Sequence, residues 1–180
     1  MSTIGTNYLQ SAIKRLLYYK ELAEKTFAQL SEEDLFYTPD ASGNSIAIIV
    51  QHLAGNMLSR FTGFLTEDGE KPWRHRDAEF EPVIKDAAAL LAYWQKGWDC
   101  CVTALQALQE KDLQKTIYIR TEPLLVIDAI NRQLAHYPYH VGQIVFLGKQ
   151  LKGSAWQTLS IAKGQSAQFN NQMQQQSGNK

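Results

Sequence analysis

Gln133-Leu-Ala-His-Tyr-Pro-Tyr-His-Val-Gly-Gln143 decides how this chain folds, because Pro138 interrupts an otherwise helical pattern. Proline has no N–H to give to the carbonyl of Leu134, so the segment is either one bent helix or two helices meeting at Pro138. The apolar positions Ile130, Leu134, Val141 and Ile144 keep a single phase across the break. That continuity favours one bent helix. It would begin near Glu122-Pro123, with proline in its first turn, and stop at Gly153. On such a helix His136 and His140 project from nearly the same side, about 40° apart in azimuth and roughly 6 Å apart along the axis. Two imidazoles so placed can converge on one metal ion.

Outward from this segment, three more stretches carry helical periodicity, and no convincing strand pattern competes with them. Leu9, Ala12, Ile13, Leu16, Leu17, Ala23 and Phe27 form the buried face of a first helix ending near Leu30. Ser31-Glu-Glu-Asp34 has the residues of a capping box for a short turn. After Pro39, the Ser42-Gly43-Asn44-Ser45 cluster breaks the chain and offers an N-cap. A second helix is expected over residues 45–65, striped by Ile46, Ile49, Val50, Leu53, Met57 and Phe61. A third spans about 85–109, with Leu90, Leu91, Trp94, Trp98, Cys101, Leu105 and Leu108 inward. Between them, residues 66–83 form a charged connection with Pro72, Trp73, Phe80 and Pro82. A link this long between helices is usually functional or disordered, and its aromatics and prolines favour an ordered crossover along the bundle. The glutamine- and asparagine-rich end is expected to lack order over residues 171–180, leaving one domain over residues 1–170.

Composition narrows the function. At 180 residues, 44% hydrophobic and 20% charged, the chain suits one soluble globular domain with a full core. Its 18 acidic and 18 basic residues cancel, so no basic excess points to nucleic acid or an anionic membrane. No secretory leader or membrane-spanning run is evident, and a cytoplasmic location is expected. Cys100 and Cys101 are adjacent, inside an apolar helical pattern, and read as small core residues in a reducing compartment.

The chain has four histidines. His75 falls in the polar crossover and reads as solvent-exposed. His52 lies in the second apolar helix beside Leu53, at the border of its stripe. Together with His136 and His140 it would complete a three-nitrogen site between two helices. Such a site leaves a coordination position open, as catalytic metals require. Asn56, one turn after His52, and Gln143, three residues after His140, are candidates to hold a ring or a bound water; each also fits a plain helix-surface amide. Arg60, two turns beyond His52, and Arg74 and Arg76 in the crossover are candidates to bind an anionic carboxylate. The alternative for these arginines is ion pairing with Asp77, Glu79 or Glu81.

Three segments carry a family resemblance: Asn44-Ser-Ile-Ala-Ile-Ile-Val-Gln-His-Leu-Ala-Gly-Asn56, Asp68-Gly-Glu-Lys-Pro-Trp-Arg-His-Arg-Asp77 and His136-Tyr-Pro-Tyr-His-Val-Gly-Gln143. They resemble the DinB/YfiT-like superfamily and, within it, a bacterial subgroup of unknown function, DUF1572. Trp156 and Leu159-Ser-Ile-Ala-Lys-Gly-Gln-Ser166 are similar to the same subgroup's C-terminal segment. The resemblance implies an all-α four-helix bundle in up-down-down-up order, often dimeric. It also implies a divalent metal, zinc or nickel, on three histidines that map onto His52, His136 and His140. Pro138 departs from a plain helical His-x-x-x-His. Superfamily members use low-molecular-weight thiols, so the resemblance points to a thiol-dependent S-transferase or a metal-assisted hydrolase acting on a small molecule. The competing expectation is a non-catalytic, stress-associated dimeric bundle that binds metal or a small ligand.

Overall fold

The computed structural model describes residues 3–40 and 43–178, with Ser42 of the breaker cluster and the last two residues of the tail outside the described part. Six α-helices and one small β-hairpin make up its regular structure, and 66% of the chain is helical. Helix α1 (Ile4–Phe27) is capped by the Thr3 side chain, which accepts from the Thr6 N–H, and buries Leu9, Ala12, Leu16, Ala23 and Phe27. The short α2 (Glu32–Phe36) opens with the capping box read from the sequence. The Ser31 N–H donates to Asp34 Oδ2 at 2.9 Å, and the Asp34 N–H donates to Ser31 Oγ at 3.2 Å. Ser45 caps α3 (Ile46–Phe61), and Asp86 caps α4 (Ala87–Gln106).

Helix α5 (Val126–Lys152) runs unbroken through Pro138, so His136 and His140 belong to one helix. It ends at Gly153, whose φ of 53° is the left-handed value that a C-terminal glycine supplies. The four long helices share one core: α3 packs on α4 and α5, and α1 packs on α5 and α4. Gly97 on α4 makes the closest approach possible. A Cβ there would lie 2.8 Å from the Cα of Ala54 on α3. An aromatic line crosses the core, from Phe27 to Trp94, Trp98 and Tyr137, with centroid spacings of 5.4, 5.5 and 5.9 Å. The indole N–H groups of Trp94 and Trp98 meet no hydrogen-bond partner among the described residues.

The structure corrects the wholly helical expectation in one place. Residues Thr116–Ile119 (β1) and Glu122–Leu125 (β2) pair antiparallel, and α5 starts at Val126 rather than at Glu122. Thr116-Ile-Tyr-Ile119 alternates exposed and buried residues, putting Ile117 and Ile119 inside. Pro123 is tolerated because a two-stranded ribbon leaves an edge on each side. The turn residues Arg120 and Thr121 both have positive φ, 56° and 66°, a conformation that costs a side-chain-bearing residue roughly 1–2 kcal/mol. Asp68 of the crossover offsets this. Its carboxylate accepts from the N–H groups of Arg120 (2.9 Å), Thr121 (2.8 Å) and Glu70 (2.7 Å). The crossover is therefore ordered and tied to the hairpin, and its one-turn 3-10 segment Asp77–Phe80 packs on α3. The polar stretch after Gly164 forms α6 (Ser166–Gly178); its residues up to 176 are all exposed and add nothing to the core.

Candidate metal centre

Three imidazoles meet where α3 faces α5. One ring nitrogen from each of His52, His136 and His140 lies within 4.8 Å of the other two. The Nε2 atoms of His52 and His136 are 3.4 Å apart. Tetrahedral zinc with Zn–N bonds of about 2.0–2.1 Å holds its nitrogens about 3.3–3.4 Å apart, so this edge already has the required length. Proline inside α5 has not misdirected the pair: the His136 and His140 ring centroids are 4.8 Å apart, and each lies against His52.

In His52 and His140 the ring nitrogen that faces away from the cluster is fixed by another side chain. His52 Nδ1 donates to Glu79 Oε2 at 2.9 Å. His140 Nδ1 donates to Gln143 Oε1 at 2.7 Å. Both rings thus keep Nε2 bare, the tautomer a metal ligand needs. Glu79 is itself buried and gripped by Arg74, whose Nε and Nη2 donate to it at 2.7 and 2.9 Å. Burial works to raise the Glu79 pKa, but the hydrogen bonds from His52 and Arg74 outweigh it and hold the carboxyl below its usual range. Burial lowers the pKa of His140, against the opposing hydrogen bond from Gln143, and His52 adds to the lowering. For His136, burial and then the neighbouring His140, His52, Arg132 and Arg60 lower the pKa from 6.5 to about 3. His136 and His140 are therefore set up as neutral donors.

The sequence candidates divide by what they touch. Gln143 accepts from His140 Nδ1 and donates from Nε2 to the Tyr139 hydroxyl at 3.3 Å. Asn56 lines the cavity over the histidines, yet its Oδ1 accepts from the Tyr137 hydroxyl at 3.1 Å rather than from an imidazole. Arg60, Arg74 and Arg76 line the same cavity and also make ion pairs. Arg60 pairs with Glu70, Arg74 with Glu79, and Arg76 approaches Asp77 at 4.0 Å while lying over the Phe80 ring. His75 is exposed. Cys101 is buried, and burial raises its thiol pKa well above 9, so it offers no thiolate.

Five contributors escaped the sequence reading. Glu79 and Phe80, which brace His52 by hydrogen bond and by stacking at 5.0 Å, sit 27 and 28 residues downstream in the crossover, where no periodicity connects them to α3. Arg120 reaches the cavity only because of the hairpin. Arg132 and Gln133 were findable, since they precede His136 by four and three residues on one helix face.

Fold and site together define a mainly helical protein with a three-histidine cluster that could hold a metal ion. The chain belongs to the family described as protein of unknown function (DUF1572), whose profile matches residues 3–165, within the DinB/YfiT-like superfamily. No curated protein matches it. No helix among the described residues is long and apolar enough to cross a membrane.

Proposed function

We propose that this protein is a divalent-metal-dependent enzyme, with His52, His136 and His140 as ligands to one zinc or nickel ion. The 3.4 Å separation of the His52 and His136 Nε2 atoms, with Glu79 and Gln143 holding the far sides of His52 and His140, carries this reading. Three neutral imidazoles leave a bound dication its full charge, which lowers the pKa of a thiol or water joining it and supplies the nucleophile. The chain's own groups do the rest. His52 and His140 are oriented from behind, Arg74 neutralises Glu79, and the cavity of about 330 Å³ is sized for a small molecule. With Cys101 sealed in the core, a low-molecular-weight thiol cosubstrate fits an S-transferase, and water in its place gives a hydrolase.

The architecture we propose around this centre is the four-helix bundle of α1, α3, α4 and α5 in up-down-down-up order, with the ordered crossover joining parallel α3 and α4. Exposed aromatics on α5, Tyr139 and Phe146, favour a homodimer and leave room for the non-catalytic dimeric reading. Elemental analysis of untagged protein tests the central claim. One divalent ion per chain is expected, and replacing each histidine by alanine in turn should sharply reduce it. Protein that carries no metal and takes none up sinks the metalloenzyme reading. Stoichiometric metal without thiol conjugation or hydrolysis of any electrophile favours the non-catalytic one.

A further inference from the structure

The chain contains six arginines and twelve lysines. Five of those arginines, Arg60, Arg74, Arg76, Arg120 and Arg132, line the single cavity over the histidines, and none of the described lysines does. In a protein of zero net charge this is a local concentration and a choice of chemistry. Guanidinium presents a planar fork that matches carboxylate and phosphoryl oxygens, whereas an ammonium offers only a point charge.

The surrounding carboxylates do not account for these arginines. Glu70 Oε2 alone serves Arg60 and Arg120, at 3.2 and 3.0 Å, and lies 3.7 Å from Arg74. Glu79 is shared between Arg74 and His52. Arg132 makes no ion pair or hydrogen bond with the described residues. Five guanidiniums thus face four carboxylates, Glu70, Glu79, Asp68 and the loosely placed Asp77, an excess of positive charge before any metal binds. Two buried atoms are also left without hydrogen-bond partners among the cavity's own residues: the Nη1 donor of Arg74 and the Oε1 acceptor of Gln133. Buried polar groups are rarely unpaired without a reason, and a bound molecule supplies one. Arg120 adds a second sign of purpose. Its backbone is held in a costly left-handed turn by Asp68, and that turn delivers its side chain to the cavity.

We propose that the substrate is a small oxyanion, carboxylate or phosphoryl, bearing a neighbouring hydroxyl or amino donor, with the anion on the arginine wall and the donor on Gln133. The assignment rests on the same cavity as the proposed metal centre and specifies its substrate class. The anion neutralises the arginine excess, and its position beside the histidines leaves the rest of the molecule at the open face of the cluster. The oxyanion chemistry is common to carboxylates and phosphate esters, so the test separates them.

The experiment uses the full chain treated with chelator and dialysed, so that no anion is retained by a metal. Succinate, tartrate, inorganic phosphate and neutral succinamide are titrated by calorimetry and by thermal shift. Saturable binding of the anions and none of succinamide is expected. Tartrate should exceed succinate by several-fold, and Gln133→Leu should abolish that difference. The stronger of tartrate and phosphate identifies the oxyanion type. Arg132→Gln and Arg76→Gln alter exposed side chains, so their folds are expected to be intact by circular dichroism, and each should weaken binding about tenfold. Arg120→Gln provides a third, independent reading. No saturable anion binding, or binding in all three arginine variants equal to that of the parent, overturns the proposal. One metal per chain without anion binding removes this assignment and leaves the metal centre standing. Arginine-dependent anion binding in protein that takes up no metal does the reverse.

Discussion

Glu79→Gln is the most discriminating single change at the candidate centre, because it preserves shape while reversing one hydrogen-bonding role. The native carboxylate accepts on both oxygens, from His52 Nδ1 at 2.9 Å and from Arg74 at 2.7 and 2.9 Å. A glutamine has one acceptor oxygen and one NH2 donor. Native Oε2 serves both His52 Nδ1 and Arg74 Nη2, and Oε1 serves Arg74 Nε, so either orientation of the amide sets its NH2 against an Arg74 N–H. With the NH2 toward His52, Nδ1 must accept and the ring proton moves to Nε2, the atom a metal would use; with the oxygen there, the ring keeps only a neutral acceptor in place of a carboxylate. Loss of such a supporting hydrogen bond typically costs 10- to 100-fold in metal affinity, or about 1.4–2.7 kcal/mol. A separate cost falls on stability. Breaking the buried Arg74–Glu79 charge pair leaves a cation only partly compensated, and about 3 kcal/mol is the expected order. Affinity is read by competition against a chromogenic chelator, and stability by urea unfolding of the metal-free protein. A folded Glu79→Gln protein that binds zinc within twofold of the parent refutes the reasoning, since His52 would then not depend on the Glu79 carboxylate for support.

Other outcomes follow from neighbouring features. Gly55 leaves the space that Glu79 occupies, and a Cβ there would lie 2.9 Å from Glu79 Cδ. Gly55→Ala should therefore cut metal affinity about tenfold although alanine favours helix, measured by the same competition. In the metal-free protein His136 titrates near 3 when folded and near 6.5 when unfolded, so the unfolded chain binds more protons between those values. Stability should be complete above pH 6.5 and fall as pH drops toward 3. One proton sets a ceiling of about 1.4 kcal/mol per pH unit, and the half-buried ring roughly half that after screening. Urea midpoints between pH 7 and 5, above the carboxylate range, should show this slope in the parent and a smaller one in His136→Asn. At the hairpin, Thr121→Gly should raise stability by about 1 kcal/mol by removing a strained φ. Asp68→Ala should lower stability by roughly 1–3 kcal/mol, because three backbone N–H groups lose their acceptor.

The helices and the histidine pair were legible because each depends on spacing within one segment. The phase from Ile130 to Ile144 correctly carried α5 through Pro138, and the four-residue step from His136 to His140 placed both rings on one face. Ser31, Asp34, Ser45 and Gly153 marked helix ends by local hydrogen bonding and by φ alone. What escaped depends on contacts distant in sequence. Glu79 reaches His52 only after the crossover folds back over α3. The hairpin hid because Arg120-Thr121 lacks the asparagine or glycine that usually marks such a turn, its conformation being sustained by Asp68 from 52 residues away. Pro123 then reinforced the wrong reading, since a proline before an apolar run looks like a helix start. Arg132 was overlooked at a legible position, four residues before a histidine already chosen.

The line of rings through the core has a practical consequence. Trp98 touches Tyr137, and Tyr137 touches His136 at 5.5 Å, so an indole stands two ring contacts from the candidate centre. Trp94 and Trp98 are buried in the core, while Trp73 is exposed, so their emission separates by colour into a blue interior component and a red surface one. Nickel, with its partly filled d shell, quenches a nearby excited indole, and zinc, with a full one, does not. The molecule thus contains its own optical gauge: the blue component dims when nickel enters, stays bright when zinc enters, and shifts red only when the core itself opens.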